Sequence, residues 1–146
     1  MTKCMSADSC FVDTNVLLYA SDPSQGRKHD VAKLLVEDLW NSRTGVISTQ
    51  VLQEFCFNLR RKLGNPISIA DTAKRVRDYL TWQMVTNVAE YTISVLEIEV
   101  KHRISFWDAL IVNAAQTAGC TILYSEDMNH GQIFDSVRVV NPFLPK

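Results

Sequence analysis

The sequence predicts an α/β fold: a central, mostly parallel five-stranded sheet with helices on both faces, forming three layers. Three observations lead there. Apolar runs of three or four residues alternate with longer segments of helical period, and glycine, proline or polar turn residues separate the two kinds of segment. Strands divided by helices call for crossover connections and hence a parallel sheet covered on both sides. No repeat, biased segment or linker interrupts the chain, so residues 1–146 read as one domain.

Cys10-Phe-Val is a short apolar run stopped by Asp13, and Val16–Ala20 continues apolar to the turn Ser21-Asp-Pro-Ser-Gln-Gly26, so a first strand runs into a short helix. Between Arg27 and Asn41, Val31, Leu34, Leu35 and Leu39 recur at helical spacing, and Asn41-Ser-Arg-Thr-Gly45 closes that helix. Val46-Ile-Ser48 is the second strand. Thr49 to about Leu63 carries Leu52, Phe55, Cys56, Leu59 and Leu63 on one stripe, with Gly64-Asn-Pro66 as its stop. A further helix covers roughly Ser68–Leu80, Met84–Val85 marks a weak third strand, and Ala89–Arg103 is a helix. Ser105–Ala118 is the clearest helix, ended by Gly119, and Thr121–Tyr124 and Val137–Val140 complete the strands.

Composition narrows the function. With 146 residues, 47% hydrophobic, 21% charged and a net charge of −1, the chain supports one ordinary core and carries no broad basic face for duplex DNA. No apolar run is long enough to span a membrane, and Met1–Cys10 lacks the charged and apolar regions of a signal peptide, which sets the expectation of a cytoplasmic protein. Cys4, Cys10, Cys56 and Cys120 show no C-x-x-C pairing and are expected to be free thiols. The five glycines form neither a P-loop nor a dinucleotide-binding turn. A haloacid-dehalogenase-like phosphatase would need an acid two positions after its nucleophilic aspartate, and residue 15 is Asn.

In parallel sheets ligands bind beyond the carboxyl ends of the strands. Asp13 ends the first strand, and Glu126 and Asp127 follow the fourth. Glu54 and Asp108 each lie about one turn into a helix that can face the same edge. Carboxylates converging there repel one another unless a cation neutralises them, and oxygen ligands of this kind select magnesium or manganese. Each acid also has a plainer role. Asp13-Thr-Asn15 reads as a turn or helix cap, and Glu54 lies opposite the apolar stripe of its helix. Ser105-x-x-Asp108 reads as a capping box, and Asp127 sits in a polar loop.

At these residues the sequence resembles the PIN-domain ribonucleases. Phe11-Val-Asp-Thr-Asn-Val-Leu-Leu-Tyr19 looks like their first motif and Ser48-Thr-Gln-Val-Leu-Gln-Glu-Phe55 like their second. Phe106-Trp-Asp-Ala-Leu-Ile-Val-Asn-Ala-Ala115 looks like the third, and Leu123-Tyr-Ser-Glu-Asp127 like the fourth. The four run in order over essentially the whole chain, whose length is that of VapBC-type toxins. The resemblance implies a magnesium- or manganese-dependent endoribonuclease in which Asp13, Glu54, Asp108 and Asp127 hold the metal and act in catalysis. Asn15 and Ser125 would orient these carboxylates, and Asp127 is preferred to Glu126 because Ser125 stands two positions before it. It also implies a cognate antitoxin and a homodimer. The alternative is a PIN-fold RNA-binding or protein-interaction module without turnover.

Arg60, Arg61, Lys62, Lys74, Arg75 and Arg77 form a basic segment, of which the first three are candidates for holding RNA phosphates. Trp40 and Phe57 fall outside the apolar stripes of their helices; either a neighbouring helix covers them or they anchor the antitoxin. His29, His102 and His130 show no ligand spacing and are read as surface or core residues.

Overall fold

The computed structural model describes residues 8–61 and 66–145. Cys4, Lys62, Leu63 and most of the expected stop at residues 64–66 therefore lie outside the described residues. The sheet is built around β1 (Cys10–Val12), all three of whose residues are fully buried. An apolar strand with no polar face belongs in the middle of a parallel sheet covered on both sides. β2 (Gly45–Ser48) and β4 (Ile122–Tyr124) pair with β1 in parallel on either side, aligning Phe11 with Val46 and with Leu123. β3 (Gln83–Val85) lies outside β2, and β6 (Val137–Val140) outside β4.

Helices make the connections. α1 (Thr14–Ala20) and α2 (Arg27–Ser42) lead from β1 to β2, and α3 (Thr49–Leu59) and α4 (Ile69–Tyr79) lead from β2 to β3. α5 (Tyr91–His102) and α6 (Phe106–Thr117) return the chain across the sheet to β4. Side-chain oxygens set several of these starts, because the first amides of a helix have no partner within it. Ser48 accepts from Val51 N, Ser68 from Asp71 N and Ser105 from Asp108 N, at 3.1–3.3 Å. Val16 and Leu17 of α1, Phe55 and Leu59 of α3 and the small residues Ala109 and Ala115 of α6 are fully buried. Each large side chain among them contributes roughly 1.5–3 kcal/mol by leaving water.

Six strands are present rather than the five expected. The addition is β5 (Ile133–Phe134), antiparallel to β6 at the sheet edge and joined to it by a tight turn in which Asp135 adopts φ 55°. A two-residue strand is too short to show any alternation, so its sequence carries no periodic signal. α3 stops at Leu59 with Arg60 as its cap, short of Leu63. Cys10 is disulfide-bonded, which corrects the expectation of a free thiol, while Cys56 and Cys120 are free. Pairing depends on Cα separation, and sequence spacing does not supply it. No helix among the described residues is long and apolar enough to cross a membrane.

Beside the amino end of β2, Trp40 packs tilted against Tyr79 and edge-on against Trp82 with ring centroids 4.9 and 5.4 Å apart, and Tyr79 in turn meets Phe55 at 5.2 Å. Trp40 is therefore packed from α4 and the segment after it, and it remains half-buried. Phe57 remains 53% exposed. The Trp82 ring lies across Gly45, where a Cβ would come within 2.5 Å of it. Gly45→Ala should thus destabilise the protein by roughly 1–3 kcal/mol through overpacking. Denaturant unfolding measures this, and an unchanged midpoint would show that the ring does not close on the strand.

Candidate active site

The order of strands, β3-β2-β1-β4-β6-β5, reverses direction between β1 and β4. At a reversal the crossovers diverge and leave a crevice beyond the carboxyl ends of the two strands. Asp13 follows β1 directly and Ser125 follows β4 directly. Asp13 N donates to Tyr124 O at 2.9 Å, tying the two strand ends together.

Asp13 belongs to the backbone and to the crevice at once. Its Oδ1 accepts from Thr14 N at 2.8 Å, capping α1, and its Oδ2 accepts from Ser125 Oγ at 2.8 Å. The cap and the site, alternatives in the sequence, are served by one carboxylate. Burial pushes this carboxyl from its ordinary 3.8 up to about 6, against the lowering effect of the two hydrogen bonds, and the charges of Asp127 and Glu54 add to the rise.

Asp127 sits at the more open side. Its Oδ2 accepts from Asn15 Nδ2 at 2.7 Å, and its backbone N donates to Ser125 Oγ at 3.3 Å. Asp13, Asn15, Ser125 and Asp127 thus form one hydrogen-bonded network contributed by the ends of β1 and β4. Partial burial raises the Asp127 carboxyl, as do the charges of Glu126 and Asp108, while Asn15 and Lys28 oppose them. Electrostatic coupling consequently runs from Glu54 on α3 through Asp13 and Asp127 to Asp108 in the first turn of α6. The four acids singled out in the sequence come from four different segments and are coupled pairwise: Glu54 and Asp127 to Asp13, and Asp108 to Asp127.

Glu126, the competitor of Asp127, is engaged elsewhere. Its Oε1 accepts from Tyr19 Oη at 2.9 Å and its Oε2 is 2.7 Å from Lys28 Nζ. Sequence reasoning missed Tyr19 and Lys28. Tyr19 lies four residues after Asn15 on α1 and so shares its face, a signal that was available; Lys28 offers none. The histidines lie outside the network: His29 Nδ1 meets Tyr19 O, the His102 ring meets Phe134, and His130 Nδ1 accepts from Asn141 N.

The donors suit a hard divalent cation, because all are carboxylate oxygens and the central one is buried beside no positively charged group among the described residues. Among the described residues, no three His, Cys, Asp or Glu side chains stand close enough to grip one ion together. Asp13 is turned to Ser125 and Asp127 to Asn15.

The basic segment divides. Arg60 and Arg61 are exposed beyond α3, Arg61 lying over the Phe57 ring at 4.5 Å. Arg75 turns inward to Ser21 O at 3.4 Å, and Lys74 pairs weakly with Asp71 at 3.9 Å.

Comparison with known proteins gives a consistent picture. The PIN domain family matches residues 10–134. Among solved structures, the sarcin-ricin loop cleaving toxin VapC20 of Mycobacterium tuberculosis shares 26% identity at a TM-score of 0.62, covering 82% of this chain and 90% of its own. A toxin–antitoxin complex from Klebsiella pneumoniae shares 20% identity at a TM-score of 0.66, covering 92% of this chain and 98% of the other. No curated protein matches the chain in sequence.

The raised Asp13 carboxyl has a consequence for stability. Its folded-state value, about 6, lies above the ordinary 3.8, so the folded protein holds this proton to higher pH than the unfolded chain. Stability falls as pH climbs from about 4 to about 6, by up to about 3 kcal/mol, and stays lost above. Asp13→Asn keeps the shape and removes the charge. Without divalent cations it should be about 1–3 kcal/mol more stable than the parent at pH 7.5, with the gap closing towards pH 4. A variant less stable at pH 7.5 would show that the carboxylate is not penalised by burial.

Proposed function

The chain belongs to the PIN domain family, and from that premise we propose that it is a divalent-cation-dependent endoribonuclease, the toxin of a toxin–antitoxin pair. The observation that carries the reading is the network of Asp13, Asn15, Ser125 and Asp127 at the crevice between β1 and β4, with Glu54 and Asp108 coupled to it electrostatically. The likeness to an RNA-cleaving toxin over most of both chains supports it.

Asp13, Glu54, Asp108 and Asp127 would hold magnesium or manganese. A cation bound there supplies a water of lowered pKa and neutralises charge at a phosphodiester. The chain's own groups do the rest. Ser125 and Thr14 N fix the orientation of Asp13, so its carboxylate needs no reorganisation. Asn15 holds Asp127 toward the same crevice. α3 joins the acidic and basic regions, carrying Glu54 at its middle and leading to Arg60 and Arg61. Six residues of helix separate Glu54 from Arg60 by about 9 Å, which suits the guanidinium groups to phosphates flanking the one attacked. Within a nuclease, an acidic centre needs such a basic flank to offset its repulsion of the RNA backbone.

The partner proposed is a cognate antitoxin, with the exposed Phe57 and the half-buried Trp40 as the aromatic side chains offered to it. A homodimer belongs to the same proposal: Ile93, Leu96 and Val100 leave an exposed apolar face on α5. With cellular RNA as its substrate, such a toxin would work in the cytoplasm.

Purified protein incubated with structured RNA and magnesium should cut it. Chelation should abolish cleavage, and Asp108→Asn should slow it by at least about a hundredfold, as expected when a charge-stabilising group is lost from a reaction centre. Replacing Arg60 and Arg61 with Ala should lower the slope of binding against salt by about two, one for each phosphate no longer neutralised. Cleavage that survives chelation would contradict the cation-dependent mechanism. Binding without cleavage under every condition would identify the non-catalytic module instead.

A further inference from the structure

Glu126 stands next in sequence to Asp127, and its two carboxylate oxygens have separate partners. Tyr19 Oη donates to Oε1 at 2.9 Å and Lys28 Nζ lies 2.7 Å from Oε2. Lys28 Nζ also reaches Tyr19 Oη at 3.4 Å, closing a triangle, and lies 5.0 Å from the centroid of the Tyr19 ring. That ring is held edge-on against Phe143 at 5.1 Å, whose carbonyl accepts from Arg27 Nη1 at 2.8 Å. Tyr19 and Lys28 come from α1 and the first turn of α2, so Glu126 fastens the segment after β4 to the opposite wall of the crevice. Side chains of neighbouring residues in a non-helical segment point different ways. With Glu126 drawn toward Lys28, Asp127 is presented to Asn15, which holds it at 2.7 Å.

We infer that Tyr19, Lys28 and Glu126 form a clamp that positions Asp127, with Glu126 excluded from the set of cation ligands. Tyr19 and Lys28 act through Glu126 and are positioning residues. This inference rests on the proposed cation-dependent nuclease for its consequence, though the clamp itself is a property of the chain alone. A carboxylate already satisfied by a phenol and an ammonium has no need of a further cation. The fixed segment, in contrast, cannot hold Asp127 at Asn15 once either tie is cut. Loss of a group that orients a ligand typically costs about tenfold to a hundredfold in metal affinity.

The deciding variant is Tyr19→Phe, which keeps the ring against Phe143 and removes only the hydroxyl; Lys28→Met is a second, independent cut. Two measurements are made on each. In the cation-free protein, the Asn15 side-chain amide is followed by NMR as a report of its hydrogen bond to Asp127. Manganese binding is then measured by calorimetry. In both variants the Asn15 amide should move toward its solvent-exposed position. Tyr19→Phe should weaken manganese binding by about tenfold or more. Tyr19→Phe combined with Glu126→Gln should be no worse than Glu126→Gln alone, because all three residues act through one segment. An Asn15 amide unmoved in Tyr19→Phe would overturn the clamp. Tighter manganese binding by that variant would overturn it too, since it would reveal Glu126 as a ligand released by the cut. If the parent protein binds no manganese, the proposed nuclease falls, and the Asn15 signal alone still decides the clamp.

Discussion

A carboxylate buried with no cationic partner among the described residues organises this protein. Asp13 occupies the one place where the sheet must open, beyond the ends of two parallel strands whose crossovers diverge. The strand before it is fully buried, which leaves its position little freedom. Burying a charge is costly unless it is paired, and a carboxyl with two hydrogen bonds still rises to about 6. Stability alone would favour an amide there. The surrounding acids intensify the penalty, which is the cost that the proposed cation would offset.

Around that group the fold separates rigid support from chemistry. The aromatic cluster of Trp40, Tyr79 and Trp82 lies beside the amino end of β2, where it can be tightly packed without touching the crevice. At the carboxyl ends, hydroxyl and amide side chains take over: Ser48 and Ser105 begin α3 and α6, the helices that carry Glu54 and Asp108, and Ser125 links Asp13 to Asp127. The same residue types that start helices also aim the acids. The Tyr19–Lys28–Glu126 triangle extends this by tying the segment after β4 to α1 and α2. A site assembled from four segments needs such ties, because an error of about 1 Å in a reacting group is expensive in rate.

Much of this is legible in the sequence, for reasons that differ by element. Strands such as Cys10–Val12 and helices such as Phe106–Thr117 announce themselves because their apolar residues follow the period of the structure. Topology and the resemblance to PIN domains single out Asp13, Asn15, Ser125 and Asp127, and the structure joins them in one network. Two residues at β5 leave no periodic trace, and the disulfide at Cys10 depends on a distance that spacing does not encode. Trp40 looks unpartnered in sequence because its cover comes from Tyr79 and Trp82, some forty residues away. Lys28 is invisible for a similar reason: its pairing with Glu126 spans most of the chain. Local pattern reports on elements, whereas long-range polar contacts have to be seen.

The central claim is that Asp13 is a buried carboxylate built to be neutralised by a bound cation. Carboxyl-carbon NMR titration of Asp13, with and without magnesium, tests it most directly. Without the cation the resonance should titrate near 6, and with saturating magnesium the midpoint should fall by at least about one to two units, as a nearby positive charge favours the ionised form. An Asp13 that titrates at its ordinary 3.8 without cation, or a midpoint indifferent to magnesium, would contradict the account.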